Sequence, residues 1–393
     1  MPAKHYDVAV IGGGIHGAGV AQAAAAAGYS TCLLERSAPA AGTSSRSSKL
    51  IHGGLRYLET GQFALVRECL REREILLRIA PDLVHLKPFF IPVYRHSRRR
   101  ALTIATGLSA YYILGGLHLH ASFTRIARSR WADLDGLTTQ DLQAVFQYND
   151  AQTDDAALTR AVVHSAVTLG AEPLIPAEFL SARFESGQWT VEYRQTTERR
   201  CTAKALVNAA GPWANTILGR IMPPAAARPI EWIQGTHILV DGRLEHGIYY
   251  LEAPTDRRPV FVMPWREQIL VGTTEVPFSG SPDQVLPSPE EKAYLLETLS
   301  AYFPRFQSID TARVRNAFAG LRVFSRSSTA ASARPRETII HQDPHHPSLI
   351  TIYGGKLTVY RATAQTVLAR LVPILGPRKT RADTATVKLI PPR

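Results

Sequence analysis

Sulfur-containing residues are scarce in this chain. Its 393 residues include 3 cysteines and 3 methionines. Cys32, Cys69 and Cys201 lie far apart in sequence, and their odd number argues against a disulfide framework. The sequence has no CxxC pair and no cluster of His and Cys, so it predicts no metal site. We therefore expect a reducing, cytoplasmic setting.

Acidic residues are also in the minority. The 33 Asp and Glu are outnumbered by 45 Lys and Arg, which gives a formal net charge of +12. Such an excess favours anionic partners, either phosphorylated molecules or acidic lipid, although a solvated basic surface explains it equally well. No recognised nucleic-acid-binding motif is present, so we expect no nucleic-acid partner. A signal peptide is not expected either, because Lys4 leads directly into YDVAVIGGG, which predicts a first strand.

Long apolar runs are missing, with one partial exception between Arg95 and Arg130. The segment ALTIATGLSAYYILGGLHLHASFT contains no Lys, Arg, Asp or Glu and is flanked by RHSRRR and RIARSR. It is too rich in Gly, Thr and Ser for a convincing transmembrane helix. A segment lying on a membrane surface and a buried helix pair inside the fold explain the pattern equally well.

A glycine motif follows the first predicted strand. Gly12, Gly14 and Gly17 stand between the strand YDVAVI and an Ala-rich helix that Gly28 closes. Glycines at this spacing permit a tight turn and a close approach of the backbone to a pyrophosphate, which the helix N-terminus favours. Glu35 ends the next strand, where a carboxylate can accept hydrogen bonds from ribose hydroxyls. The pattern predicts a dinucleotide site but does not choose between NAD and FAD.

A polar run after the second strand bears on that choice. The stretch GTSSRSSKLIHGGLRYLE, from Gly42 to Glu59, concentrates hydroxyl, amine and imidazole side chains. A nicotinamide enzyme more often continues with further β-α units. The long ribityl chain of FAD would give these side chains hydrogen-bond partners, so the run favours FAD.

The remaining pattern is a mixture of helices and strands. Apolar spacing predicts a helix over 62–80 and another over 289–303, and alternation predicts an antiparallel sheet over 230–275. Asp154 and Asp155 are expected to cap a helix N-terminus. The stretch LITIYGGKLTVYRATAQTVLARLV predicts a strand, a glycine turn and a helix. The Arg- and Pro-rich tail after Gly376 is expected to be loosely held.

Several of these stretches together resemble the FAD-dependent glycerol-3-phosphate dehydrogenases, within the amino-acid-oxidase-like flavoprotein superfamily. The resemblance rests on DVAVIGGGIHGAGVAQAAAAAG, TSSRSSKLIHGGLRYLE, VNAAGPWAN, VGTTE, AGLR and YGGKLTVYR, in the family's order. It implies an α/β fold with a Rossmann-like FAD-binding domain and an inserted substrate domain built on an antiparallel sheet. The FAD-binding domain would comprise residues 1–85, 146–220 and 315–393. The substrate domain, with its membrane-surface segment, would comprise 86–145 and 221–314.

The resemblance also implies an activity. The chain would oxidise sn-glycerol 3-phosphate to dihydroxyacetone phosphate by hydride transfer to flavin N5, and would pass the electrons to a quinone-type acceptor. It would then be cytoplasmic and peripheral on the inner face of the cell membrane. Two alternatives stay open: oxidation of a 2-hydroxy acid or amino acid, whose carboxylate arginine also clamps, and a flavin-binding module that needs a partner subunit.

The motifs and the resemblance predict a set of site residues. Those expected beside the cofactor are Gly12, Gly14, Ile15, His16, Gly17, Glu35, Arg36, Thr43, Ser44, Ser45, Ser48, Lys49, Leu50, His52, Ala210, Gly211, Gly355, Lys356, Leu357 and Thr358. Those expected to bind substrate are Arg56, Thr274, Arg322, Arg336 and Lys356. His237 is the first candidate to take the hydroxyl proton and Tyr57 the second, because the unperturbed pKa of histidine lies near neutrality. Arg56, Arg322 and Lys356 complete the predicted catalytic set.

The sequence departs from the family at several positions. Arg46 stands where the family usually has a small residue, Val359 replaces a threonine, and Glu275 replaces an aspartate. The chain also ends before the C-terminal helical domain of the full-length family, so it resembles a shortened form. These departures bear on the substrate more than on the cofactor.

Overall fold

The computed structural model describes residues 3–307, 313–326 and 338–392. Its strands are β1 (Lys4–Ile11), β2 (Thr31–Leu34), β3 (Leu50–Ile51), β4 (Val84–Tyr94), β5 (Phe123–Arg125), β6 (Leu142–Thr153), β7 (Glu172–Leu174), β8 (Glu178–Glu185), β9 (Gln188–Arg194), β10 (Glu198–Asn208), β11 (Ile221–Met222), β12 (Ile230–Asp241), β13 (Ile248–Glu252), β14 (Pro259–Trp265), β15 (Gln268–Gly272), β16 (Val276–Phe278), β17 (Val314–Ser325), β18 (Ile339–Gln342) and β19 (Leu349–Tyr353). Its helices are α1 (Ile15–Ala26), α2 (Phe63–Ile79), α3 (Ala101–Leu114), α4 (Asp155–Thr168), α5 (Ala214–Leu218), α6 (Pro289–Tyr302) and α7 (Tyr360–Leu375).

The first sheet is the Rossmann-like one. Its strand order is β11-β8-β9-β10-β1-β2-β7, and β19 joins it beside β10 and carries β18. The strands β2, β1, β10 and β19 pair in parallel. Helix α1 crosses between β1 and β2 and is buried along nearly its whole length, because its alanines and glycines let α4 and α7 pack closely. This β1-α1-β2 unit confirms the predicted β-α-β pattern.

The second sheet has the order β16-β12-β15-β14-β13-β4-β6-β3, with β17 paired to β12 and β5 to β6. The antiparallel sheet predicted over 230–275 is confirmed by the antiparallel pairs of β12, β15, β14 and β13. Helix α6 packs on this sheet and begins with a capping box, in which Ser288 and Glu291 satisfy each other's backbone N–H groups.

The chain passes repeatedly between the two sheets. The residues 146–153 and 315–325, which the sequence assigns to the FAD-binding domain, lie in β6 and β17 of the second sheet. The division into two discontinuous domains stays a proposal. Strand pairing favours placing both segments in the substrate domain.

The apolar segment between Arg95 and Arg130 forms one α-helix, so the alternative of a buried helix pair is wrong. Helix α3 buries Ile104, Leu108 and Tyr111 and is followed by short turns and β5. On its other side Leu102 and Ile113 are 79% and 65% exposed. None of the helices in the described ranges is long and apolar enough to cross a bilayer.

The tail after Gly376 is well packed, contrary to the prediction that it is loosely held. The Arg381 backbone N–H donates to the carbonyl of Ala26 at 2.7 Å, and the Leu389 N–H donates to the carbonyl of Ile79 at 2.7 Å. The Leu389 side chain is only 2% exposed. The tail therefore closes over the C-terminal ends of α1 and α2.

Candidate active site

A cavity of about 820 Å³ extends from the glycine turn after β1 to the glycine turn after β19. The predicted site residues on its wall are Gly12, Gly14, Ile15, His16, Glu35, Arg36, Thr43, Ser44, Ser48, Leu50, His52, Tyr57, Ala210, Gly211, His237, Arg322, Gly355, Lys356, Leu357 and Thr358. The fold thus brings together positions from the beginning, middle and end of the chain. The predicted residues Gly17, Ser45, Lys49, Arg56 and Thr274 do not line the cavity.

Bare backbone forms the floor of the cavity at the first glycine turn. Gly12 has a φ of +105°, and a Cβ there would lie 2.6 Å from the carbonyl oxygen of Ala209. A Cβ at Gly17 would lie 1.8 Å from the Gly12 carbonyl oxygen. Gly17 therefore serves the packing of α1 on the turn rather than lining the cavity, while Gly12 and Gly14 keep the backbone open to a ligand.

Glu35 and Arg36 directly follow β2, on the wall of the cavity near this turn. The Glu35 carboxylate accepts a hydrogen bond from the Gly13 N–H at 2.7 Å. The Arg36 guanidinium stacks 4.4 Å from the centroid of the Trp213 ring and pairs with Asp283 at 2.5 Å. The sequence gives no local signal beside Arg36 for Trp213 or Asp283, because both lie far along the chain.

The side chains of the polar run fix the loop that this run forms between the two sheets. The Ser44 hydroxyl accepts from the Ile15 N–H at 2.9 Å, at the first turn of α1. Lys49 is turned away from the cavity, contrary to prediction. Its ammonium forms a buried ion pair with Asp155 at 2.6 Å and donates to the Ser45 carbonyl at 2.6 Å. Lys49 therefore anchors the loop against α4.

Asp154 and Asp155 were both expected to cap α4, and the structure assigns the cap to one of them. Asp154 is the cap, since its side chain accepts from the Ala157 N–H at 2.9 Å. Asp155 accepts instead from the Ser47 hydroxyl at 2.6 Å and from Lys49. A buried carboxylate with these partners positions the polar run.

His237 lies on β12 at the cavity wall. Its Nε2 is 2.9 Å from the Ser48 hydroxyl, and its ring stacks on Phe318 with centroids 5.0 Å apart. Nδ1 has no hydrogen-bond partner among the described residues. Burial, with the nearby charges of Arg322 and Lys49, lowers the pKa of His237 well below its usual value. The imidazole is therefore neutral at pH 7 and able to accept a proton.

Lys356 lies at the second glycine turn, on the wall of the cavity. Its ammonium sits 3.7 Å from the centroid of the Tyr57 ring. Within the described part of the chain, this buried Nζ has no hydrogen-bond partner. Gly355, with a φ of +105°, lies so close to His16 that a Cβ would be 2.0 Å from its Nε2. The turn thus presents an ammonium and bare backbone to the cavity.

Arg322 extends from β17 into the same part of the wall. Its Nη1 lies 2.8 Å from a Glu275 carboxylate oxygen, and its Nη2 donates to the Thr274 carbonyl at 2.8 Å. The other Glu275 oxygen pairs with Arg258 at 2.6 Å. Glu275, one of the departures from the family, therefore orients Arg322.

Two predicted substrate residues are placed elsewhere. The Thr274 hydroxyl donates to Glu291 at 2.6 Å and accepts from the Thr236 N–H at 2.8 Å, so it supports the sheet while Thr273 lines the cavity. Arg56 is half-buried on the short helical segment Leu55–Thr60, away from the wall. Arg336 lies outside the described residues.

Arg46 is a cavity residue that the sequence did not assign to the site. It lines the wall and donates from Nη1 to the Ala319 carbonyl at 3.4 Å. The position of Arg46 inside the polar run could have indicated a site residue, but Arg46 was interpreted as a departure from the family. Together with Arg322 and Lys356 it makes the wall cationic.

These residues fit FAD. Backbone free of Cβ atoms at Gly12 and Gly355 leaves room for a close ligand, Glu35 offers a carboxylate for ribose hydroxyls, and the Lys356 ammonium has no other hydrogen-bond partner in the described ranges. The family model described as "FAD dependent oxidoreductase" matches residues 7–366. The chain belongs to this family. It is an oxidoreductase, and its cofactor is FAD.

Curated relatives match over most of the chain. The glycerol-3-phosphate dehydrogenase of Pseudomonas aeruginosa is 38% identical over 96% of this chain and 74% of its own length. The aerobic glycerol-3-phosphate dehydrogenase of Escherichia coli is 36% identical over 95% and 75%. The D-erythritol 1-phosphate dehydrogenase of Brucella abortus is 35% identical over 93% and 73%. These matches confirm the resemblance drawn from the motifs.

A solved structure confirms the predicted α/β fold. The glycerol-3-phosphate dehydrogenase of Bacillus halodurans, complexed with FAD, superposes with a TM-score of 0.79 at 26% identity, over 98% of this chain and 68% of that chain. The L-alpha-glycerophosphate oxidase of Mycoplasma pneumoniae, with FAD bound, reaches a TM-score of 0.77 at 17% identity over 98% of both chains. The second likeness concerns the fold alone.

Proposed function

We propose that this chain oxidises sn-glycerol 3-phosphate to dihydroxyacetone phosphate and passes the electrons to a quinone-type acceptor. One observation carries the proposal: Arg322, Lys356 and the neutral imidazole of His237 line the same cavity as the FAD-fitting turns. The three curated relatives described above are each named for a phosphate ester of a polyol. A cationic wall beside a proton acceptor suits such a substrate.

The phosphate is assigned to the cations of the wall. A phosphate monoester carries close to two negative charges at neutral pH, and guanidinium and ammonium groups bind it through charge-assisted hydrogen bonds. The Lys356 ammonium contacts the Tyr57 ring and has no hydrogen-bond partner within the described structure, so it is ready to donate. Glu275 fixes the Arg322 fork before substrate arrives, which lowers the entropy lost on binding.

The hydroxyl proton is assigned to His237. Its lowered pKa keeps the ring neutral, and its contact with Ser48 fixes the orientation of the imidazole. Bound FAD supplies the hydride acceptor in this chemistry. Tyr57, whose ring lies under Lys356, helps to position that ammonium rather than taking the proton.

Anaerobic titration of the yellow protein tests the proposal. We expect sn-glycerol 3-phosphate to bleach the flavin absorbance, while glycerol, which lacks the phosphate, does not. D-Erythritol 1-phosphate tests the width of the polyol pocket. Bleaching by lactate or glycine instead would transfer the chain to the hydroxy-acid or amino-acid alternative, and no bleaching by any of these would favour the flavin-binding module.

The acceptor and the location form a second part of the proposal. The exposed side chains of Leu102, Ile113 and Leu119 form an apolar surface on and just after α3, and arginines precede and follow the segment. We assign this surface to the inner face of the cell membrane, where a quinone would be within reach.

Vesicle binding tests this surface. The wild-type protein should sediment with vesicles containing anionic lipid, and the double variant Leu102→Glu/Leu119→Glu should not. Leu286→Glu is the matched control, because Leu286 is 75% exposed at another place on the molecule. Equal sedimentation of all three proteins would contradict the assignment.

A further inference from the structure

Three potential metal ligands converge away from the cavity. Glu74 lies on α2, and His118 and His120 lie on the turn between α3 and β5. Each offers one ligand atom, and these atoms all lie within 4.8 Å of one another. The sequence predicts no metal site because the carboxylate and the two histidines are far apart along the chain, and only the packing of the turn against α2 unites them.

We propose that Glu74, His118 and His120 bind a divalent cation of the zinc type. The Glu74 Oε2 faces both imidazoles, with His120 Nδ1 at 2.8 Å and His118 Nδ1 at 3.9 Å. Two imidazole nitrogens and one carboxylate oxygen are a donor set that Zn²⁺ accepts, with water as the fourth ligand. His118 is exposed, so the site has access to solvent for that water.

A neighbouring arginine orients the carboxylate. Arg73, which is buried, places its Nη2 2.9 Å from Glu74 Oε1 and thereby leaves Oε2 directed at the histidines. Arg73 is held in turn by Asp150, at 2.7 Å from Nη1. Partners of this kind, outside the ligands themselves, fix the orientation of metal-binding carboxylates.

An ordinary ion pair explains the cluster less well. One histidine suffices for a hydrogen bond to a carboxylate, as His246 shows with Asp135 at 3.2 Å. Here a second ring brings its Nδ1 within 3.9 Å of the same oxygen, and the two ring centroids lie 4.6 Å apart. The His118 Nδ1 also accepts a hydrogen bond from the His120 backbone N–H at 3.4 Å, which fixes the ring in this position. A bound cation would link α2 to the turn that follows α3. The inference does not depend on the proposed function.

Metal titration of the tag-free, FAD-loaded protein tests the inference. We expect one equivalent of Zn²⁺ to bind by calorimetry. Co²⁺ should show the visible absorption of a four-coordinate nitrogen and oxygen site at the same stoichiometry, and Zn²⁺ should displace it. Glu74→Gln and His118→Ala should each weaken Zn²⁺ binding by at least about 10-fold, the lower end of the loss typical for residues that only support the ligands.

His246→Ala is the matched control, since it removes a surface histidine paired with a single carboxylate, and it should leave the stoichiometry unchanged. Flavin content and circular dichroism verify that each variant is folded. Absence of a one-equivalent site in the wild-type protein would overturn the inference by itself. So would a site that is lost in His246→Ala and kept in folded His118→Ala.

Discussion

His237 owes its chemistry to its burial on β12. An imidazole exposed to water is half protonated near its usual pKa, but burial and two neighbouring cations hold this ring neutral. Nδ1 has no partner in the described structure, while Nε2 contacts Ser48. The ring therefore stays unprotonated, and available as a base, at acidic pH where an exposed histidine is already protonated.

The first prediction concerns this ring. His237→Asn should lower kcat by about 10²- to 10⁴-fold, the usual contribution of a general base, and should retain FAD. In the wild-type protein, the pKa on the acid side of the pH profile of kcat/KM should lie below 6.5, because the lowered pKa of His237 keeps this base neutral there. Stopped-flow measurement of flavin reduction across pH provides both values. An unchanged rate in the variant would assign the proton to another group.

The second prediction concerns Arg322. Arg322→Ala should raise KM for the phosphate substrate roughly 10- to 100-fold, since charged hydrogen bonds contribute about 1.5–3 kcal/mol. The flavin should stay bound. Arg315→Ala is the matched control, because Arg315 lies on the same strand but pairs with Asp241 at the surface. Steady-state kinetics and flavin content are the measurements. Loss of FAD from Arg322→Ala would show that Arg322 holds the cofactor and not the substrate.

At the scale of elements, the β1-α1-β2 unit depends on close packing at one glycine. A Cβ at Gly17 would lie 1.8 Å from the Gly12 carbonyl oxygen, which is backbone and cannot move aside. The helix N-terminus would then be pushed away from the turn that it must face.

The third prediction follows from this contact. Gly17→Val should lower the free energy of unfolding by more than the roughly 1–3 kcal/mol usual for overpacking, and should weaken FAD binding. Gly107→Ala is the matched control within α3, where an added Cβ meets nothing within 4 Å. It should be neutral or stabilise by up to about 1 kcal/mol. Urea unfolding and flavin content distinguish the two, and equal behaviour would contradict the packing role.

The local sequence pattern predicts helices, strands and turns better than it predicts the direction of side chains. The glycine turns, the long helices and the antiparallel sheet are readable because turns and apolar periodicity are properties of neighbouring residues. Lys49 could not be placed in the same way, since its direction depends on Asp155. The same holds for Thr274, whose hydroxyl donates a hydrogen bond to Glu291. The helix α3 was ambiguous because its apolar residues occupy both faces.

At the scale of the whole molecule, a half-buried histidine with a lowered pKa makes stability depend on pH. Burial lowers the pKa of His16, at the first glycine turn, to about 4. Between about pH 4 and pH 6.5 the unfolded chain therefore binds more protons than the folded chain. The contribution of neutral His16 to the free energy of unfolding is fully present above pH 6.5 and is lost as the pH falls towards 4.

The fourth prediction measures this loss. The free energy of unfolding should fall by on the order of 2 kcal/mol between pH 7 and pH 4, after allowance for the partial exposure of His16. His16→Asn should flatten that dependence, whereas His164→Asn, at an exposed site on α4, should not. Denaturant unfolding at fixed pH values is the measurement. Parallel curves for the wild-type protein and His16→Asn would refute the assignment.

The path of the chain between the sheets has a consequence for engineering. Strands β1 and β2 belong to the first sheet, β3 to β6 to the second, β7 to β11 to the first, β12 to β17 to the second, and β18 and β19 to the first, so the chain crosses four times. A hybrid gene that exchanges one half between homologues must therefore be spliced at four junctions. Neither half can be expressed as an uninterrupted fragment, and heat should release the flavin and melt both sheets in a single step.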